Sequence, residues 1–263
     1  MDKKLTHADV NSLIKFIKQW FNDAAGYKYK KDWKAVIGIS GGKDSSVVAA
    51  LLARAIGKKN VYGVMMPNGD QKDIQDSIDL VNMLGIHSMT VNIGDANFNL
   101  LNELNLSAGL DDSGISAGFD LDSRVTTNLP ARLRMCVLYA IANHINARVI
   151  GTGNKSEMIV GWTTLWGDSA CDMNPLSTSY VDEVIQIGEL LGLPERFTRK
   201  PPSDGMCGKS DEESLGFTYD AVKTVWQNPK DVAIREVGEQ TYNVIHDKII
   251  KSAAKRRLLD NIP

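Results

Sequence analysis

Cysteine is scarce in this chain. Cys136, Cys171 and Cys207 are odd in number and widely spaced, which excludes a disulfide framework and any CxxC metal or redox motif. A reducing cytoplasm is the expected compartment. A dominant charge is missing as well. Lys and Arg total 30 against 32 Asp and Glu, a formal net charge of −2, so no global field draws the chain to nucleic acid or to an anionic membrane. No apolar run approaches the length of a membrane span. The N-terminal segment places Val10, Leu13, Ile14, Ile17, Trp20 and Phe21 at helical spacing, without the uninterrupted apolar core of a signal peptide. Two common nucleotide signatures are also absent. Without Gly-x4-Gly-Lys-Ser/Thr, and with no Gly-x-Gly-x-x-Gly after a strand, γ-phosphate transfer on a P-loop and Rossmann dinucleotide binding both lose support.

What is present instead is Gly38-Ile39-Ser40-Gly41-Gly42-Lys43-Asp44-Ser45, between the apolar run Ala35-Val36-Ile37 and a helix-forming stretch beginning near Ser46. A strand that turns into a helix through paired glycines leaves backbone N–H groups and the positive end of a dipole aimed at one point. That point suits a phosphate. Gly41 and Gly42 permit positive φ and close approach of the backbone to a ligand. Ser40, Ser45 and Ser46 add hydroxyls, and Lys43 can set an ammonium against phosphate charge. Asp44 reads as the helix N-cap, and a carboxylate beside phosphates calls for a metal between them, so Asp44 is a magnesium candidate.

Apolar runs alternate with helical patterns along the chain. Strands are expected at about 35–40, 61–66, 88–93 and 147–152, with helices near 44–56, 72–84 and 129–146, and Gly57 and Gly85 as stop signals. This predicts an α/β fold: a doubly wound, mostly parallel sheet flanked by helices, in one domain over 1–263 with helical appendages at both ends. Right-handed crossovers put every strand's C-terminal end on one edge, where the ligand crevice belongs. Two stretches rich in turn residues, 106–123 and 198–216, are expected to be loops that cover the site.

Further motifs fall on that edge. Gly151-Thr152-Gly153-Asn154-Lys155-Ser156-Glu157 follows the last expected strand, and Gly167-Asp168-Ser169-Ala170-Cys171-Asp172 comes after it. Thr152 and Glu157 are expected to face the same crevice as Asp44, where two carboxylates would form a hard, oxygen-lined Mg2+ site. In Asn128-Leu129-Pro130-Ala131-Arg132-Leu133-Arg134-Met135, Pro130 marks an early helical position. Arg132 and Arg134, two residues apart, point to different faces, so one can reach a ligand while the other pairs structurally. Trp162 and Trp166 are the tryptophans expected to touch a ring.

The loop Ser-Gly-Gly-x-Asp-Ser resembles that of the N-type ATP pyrophosphatases, which split ATP between the α and β phosphates. Taken with Met66-Pro67-Asn68-Gly69-Asp70-Gln71-Lys72-Asp73, Ala131 to Met135, Gly151 to Glu157, Gly167 to Asp172, Asp211-Glu212 and Leu215-Gly216-Phe217-Thr218-Tyr219, the chain resembles the bacterial ammonia-dependent NAD synthetase family. The resemblance implies ATP-driven amidation of nicotinate adenine dinucleotide with ammonia, in a homodimer. It implies ATP contacts at Gly38, Ile39, Ser40, Gly41, Gly42, Lys43, Asp44, Ser45 and Thr152, with Ser203 keeping a hydroxyl where Thr is common. Magnesium ligands fall on Asp44 and Glu157, and dinucleotide contacts on Arg132, Asp172 and Lys255. Leu165 and Val181 stand where lysines are common, and Lys43, Lys155 or Lys209 are the candidates to compensate.

The implied chemistry is attack of the nicotinate carboxylate on the α-phosphorus, then displacement of AMP by ammonia, with Asp44 and Lys43 steadying the departing pyrophosphate and Asp172 or Asp168 accepting a proton. None of the cysteines lies in a glutaminase-like setting, so free ammonia is the expected donor. The alternatives are another amidoligase on the same loop, or a tRNA-modifying ATP pyrophosphatase, for which a basic surface and a CxxC pair would be expected.

Overall fold

The computed structural model describes residues 4–23, 32–71, 74–108, 123–199 and 210–259. In chain order the elements are α1 (His7–Asp23), β1 (Ala35–Gly38), α2 (Lys43–Ile56), β2 (Val61–Met65), α3 (Ile74–Leu84), β3 (His87–Thr90), α4 (Gly94–Ala108), α5 (Ser123–Ile145), β4 (Arg148–Ile150), α6 (Lys155–Val160), α7 (Val181–Leu190), α8 (Glu195–Thr198), α9 (Asp211–Leu215), α10 (Tyr219–Gln227), α11 (Lys230–Val237), α12 (Glu239–Lys251) and α13 (Ala253–Leu259). The strands form a parallel sheet in the order β3-β2-β1-β4. From β1 the chain moves outward to β2 and β3, then returns to place β4 on the other side. The reversal opens a crevice at the carboxyl ends of β1 and β4, where a doubly wound sheet presents its ligand site.

The sheet is covered on both faces, which is why β1, β2 and β4 are almost entirely buried. On one side α2 carries Val47, Val48, Leu51 and Leu52, all sealed from solvent, against α1, α7 and α8. The expected stripe on α1 is what docks: Val10, Ile17 and Phe21 are buried, with Leu13, Ile14 and Trp20 packed around them. On the other side α5 covers Val36, Val64 and Val149. A separate core joins α6 to the C-terminal helices through Ile159, Phe217, Val222 and Ile245. Among the described residues no helix is long and apolar enough to cross a membrane.

Several expectations shift. The four strands are present but end one to three residues earlier on the ligand side, because the chain peels off the sheet to build the site. Helix α5 begins at Ser123, so Pro130 lies inside it and not at its start. Residues 106–108 close α4 and 211–215 form α9, which shortens both expected loops. Positions 109–122 and 200–209, with Ser203, Cys207 and Lys209, lie outside the described residues.

Leu51 has no exposed surface. Leu51→Ala should therefore cost about 3 kcal/mol by leaving a cavity between sheet and helices, read as a lower midpoint in urea with an unchanged slope.

Candidate active site

The phosphate-type loop is held open by its own side chains. The Ser45 hydroxyl lies 3.2 Å from that of Ser40 and donates to the Gly42 carbonyl at 3.2 Å, while the Gly42 N–H donates to Ser40 Oγ at 3.2 Å. Ser46 Oγ donates to the same carbonyl at 2.7 Å. These hydroxyls preorganise the turn. Helix α2 starts after Gly42 with no side-chain cap, so Asp44 is its second residue and not the expected N-cap. The first-turn N–H groups have no intrahelical acceptor, the arrangement that receives an anion. Gly41 sits at φ +74°, and a Cβ there would lie 3.0 Å from Asp76 Cβ and 3.1 Å from Ser77 N. Only glycine accepts both the torsion and the contact with α3.

Asp44 is met from across the crevice. Helix α6 opens with a capping box: Asn154 Oδ1 accepts the Glu157 N–H at 3.1 Å and Glu157 Oε2 accepts the Asn154 N–H at 2.9 Å. The remaining amide of Asn154 reaches back, Nδ2 donating to Asp44 Oδ1 at 3.0 Å. One buried asparagine thus ties the loop after β1 to the helix after β4 and brings Asp44 and Glu157 together. Burial, reinforced by the Asp44 charge, pushes the Glu157 carboxyl well above the usual carboxylate range.

Lys43 turns inward. Its side chain is 3% exposed and its ammonium donates to Asp44 Oδ2 at 2.9 Å. Burial alone would lower its pKa, but Asp44 and Glu157, with a smaller contribution from Asp211, raise it. Asp211 accepts from Tyr219 Oη at 3.2 Å and from Trp162. Burial pushes its carboxyl up while those donors and Lys43 pull it down. Among the described residues no group of three or more His, Cys, Asp or Glu side chains is placed to hold a metal. The pair Asp44 and Glu157 fits Mg2+ nonetheless: that ion takes one or two carboxylates and completes its shell with phosphate oxygens and water, and two crowded carboxylates gain from a divalent charge.

Two chambers open at the carboxyl end of the sheet, the second of them walled in part by Glu157. The first, about 240 Å³, is lined by Gly38, Ile39, Ser40, Ser45 and Thr152, five of the residues expected to meet ATP, and by Arg134. Its far wall carries Met66, Met135 and Leu138, an apolar surface suited to a flat base. The second, about 260 Å³, is lined by Glu157, Asp168, Asp172, Asn174, Phe16 and Trp20. Asp168 borders both chambers, accepting from Thr163 Oγ1 at 2.7 Å and Thr164 N–H at 2.6 Å.

The other expected residues divide. Of the arginine pair, Arg134 faces the first chamber and donates to the Met66 carbonyl at 3.0 Å, whereas Arg132 reaches the Leu165 carbonyl at 3.4 Å. Asp172 is engaged by its own chain: Oδ2 accepts the Val149 N–H at 2.8 Å and Oδ1 accepts Tyr139 Oη at 3.3 Å. Lys255 donates to the carbonyls of Gly161 and Thr163 at 2.9 and 2.6 Å, anchoring the segment that carries Trp162 and Asp168. Trp162 contacts Asp211, and Trp166 is 49% exposed with φ +59°. In the sequence Asn154 is legible only as a cap, since Asn-x-x-Glu after an apolar run is the signature of a capping box and nothing near it points to Asp44.

A family model described as NAD synthase matches residues 10–259. Among curated relatives, the NH(3)-dependent NAD(+) synthetase of Thermococcus kodakarensis is 37% identical over 85% of this chain and 86% of its own. The protein of the same name from Methanocaldococcus jannaschii is 34% identical over 95% and 94%. Both organisms are archaea, and the relatives do not support the bacterial qualifier of the resemblance. Among solved structures, an NMN synthetase from Francisella tularensis superposes with TM-score 0.76 at 28% identity, covering 94% of this chain and 95% of that one. An NH3-dependent NAD synthetase from Campylobacter jejuni gives 0.74 at 24% identity over 98% and 97%, and shares the fold.

Asn154→Ala removes the bridge and the cap together and should lower stability by about 1 to 2 kcal/mol in urea unfolding. Asn154→Asp keeps a capping oxygen but adds a third negative group beside Asp44 and Glu157. It should be the less stable of the two variants, read from the same melts.

Proposed function

The chain belongs to the NAD synthase family, and from that membership we propose that its crevice joins ammonia to the nicotinate carboxylate of deamido-NAD at the expense of ATP, releasing AMP and pyrophosphate. The observation that carries this reading is the convergence of an uncapped, glycine-lined helix start with the Asp44 and Glu157 pair across the join between β1 and β4. ATP is the co-substrate. Its phosphates meet the uncapped first-turn N–H groups of α2, and its base enters the first chamber beside Arg134. The second chamber receives the acid to be activated. Mg2+, held by Asp44 and Glu157, would supply charge neutralisation for the triphosphate and for the pyrophosphate as it leaves.

A carboxylate is a poor acyl donor until its oxygen becomes part of a leaving group. An oxygen of the nicotinate carboxylate attacks the α-phosphorus, the bond from that phosphorus to the bridging oxygen of pyrophosphate breaks, and an acyl adenylate forms. Ammonia then adds to the carbonyl carbon and AMP departs with the electrons of the acyl–oxygen bond. The chain contributes placement and a preorganised field, with no covalent enzyme intermediate. Between the two aspartates considered for the proton of the attacking nitrogen, we assign Asp168, which borders both chambers, and give Asp172 the task of fixing β4 through Val149. We further propose a homodimer. Phe16 on α1 and Phe98, Leu100 and Leu104 on α4, which lies against α5, are exposed apolar side chains that a second copy would cover. Three unframed cysteines and the use of ATP support a cytoplasmic setting.

With ATP, Mg2+, ammonium and nicotinate adenine dinucleotide, the purified protein should form NAD and AMP in equal amounts. ADP as the product would reject cleavage at the α-phosphorus, and faster turnover of nicotinate mononucleotide would reassign the substrate. Asp44→Ala should lose at least about 100-fold in kcat while keeping its far-UV spectrum. In sedimentation the protein should run at twice the chain mass, and Phe98→Asp should shift it toward the monomer.

A further inference from the structure

Lys43 is out of place for a lysine. Ammonium groups are almost never fully buried unless paired, yet this one is 3% exposed and rests 2.9 Å from Asp44 Oδ2, with the charges of Glu157 and Asp211 acting on it. The geometry of Asp44 makes the position consequential. Oδ1 already accepts from Asn154 at 3.0 Å and Oδ2 is covered by the lysine, so a divalent ion approaching Asp44 finds a positive charge docked on the oxygen it needs. The lysine is the first residue of α2, so its backbone N–H belongs to the phosphate seat while its side chain folds back into the carboxylates. A single residue therefore touches both halves of the site.

We propose that Lys43 is a tethered surrogate cation: its ammonium occupies the metal position on Asp44 in the nucleotide-free protein, and a divalent ion binds Asp44 and Glu157 by displacing it. The inference rests on the reading of those two carboxylates as the metal pair. One ion pair breaks and an ion–carboxylate contact replaces it. The released ammonium, on a flexible stem rooted in the loop, swings toward the phosphate seat, where triphosphate charge receives it. Metal and nucleotide then favour one another: the metal frees a cation for the phosphates, and the phosphates hold that cation away from the metal. Without metal, the surrogate keeps two neighbouring carboxylates from repelling each other and leaves the site assembled.

The test is Mn2+ binding to the full chain, followed by electron paramagnetic resonance, in the wild type and in Lys43→Met, Lys43→Gln, Lys155→Met and Asp44→Asn. Removing the competing charge should tighten Mn2+ binding by about tenfold or more in both Lys43 variants. Lys155 sits over the Tyr180 ring at 4.4 Å, and its loss should change affinity by less than about twofold. The melting temperature of Lys43→Met should also rise more on adding Mn2+ than that of the wild type. If both Lys43 variants bind Mn2+ no more tightly than the wild type while Asp44→Asn loses binding, the surrogate role falls and the metal pair stands. If Asp44→Asn binds as well as the wild type, the metal pair falls and the surrogate with it. Lys43→Gln, which keeps a hydrogen-bond donor, serves if Lys43→Met does not fold.

Discussion

Two carboxylates brought together away from water must be paid for by something that accepts their charge or hydrogen-bonds to it. That constraint organises this molecule around Asp44 and Glu157. Asn154 satisfies it with hydrogen bonds, spending one face of its amide on the cap of α6 and the other on Asp44. Lys43 satisfies it with charge. Asp211 joins the same balance: it accepts from Tyr219 and Trp162, and its charge acts on Lys43. A divalent ion is the chemically natural completion of the arrangement.

The fold serves this balance by topology more than by any single contact. Because β4 lies beside β1 and not beyond β3, the turns that leave β1 and β4 face each other across the width of one strand pair. One turn offers backbone N–H groups and the other offers a capped helix bearing Glu157. The C-terminal helices then brace the far end of α6 and the segment after it, residues 159–163, from outside. Lys255 holds the carbonyls of Gly161 and Thr163, Arg256 donates to the Ile159 carbonyl at 2.6 Å, and Gly161 has no room for a Cβ, which would lie 2.5 Å from Ser252 Cβ.

The strands, the loop and the facing helix were legible because each is a local pattern: a buried apolar run, paired glycines, an amphipathic repeat. The partition of roles between neighbours was not. Arg132 and Arg134 differ by which side of α5 meets the crevice, and the first turns of α5 were hidden because Val125 and Leu129 are the only apolar residues before Pro130, a residue that reads as a helix start. Asp168 and Asp172 both follow β4, and only the return of residues 171–173 alongside that strand shows that Asp172 is engaged by Val149. The inward turn of Lys43 is likewise a long-range fact. Nothing near residue 43 in the chain states that Glu157 and Asp211 lie within reach, so the lysine read simply as a phosphate cation.

The bridge from Asn154 to Asp44 spans 110 positions of sequence, and the bonds from Lys255 to Gly161 and Thr163 span 94 and 92. Contacts of such separation close large loops of chain and are made slowly, after local helices have formed. During refolding, helical content should therefore return well before the crevice is complete, and a half-folded molecule would display its glycine loop with neither carboxylate partner nor brace in position.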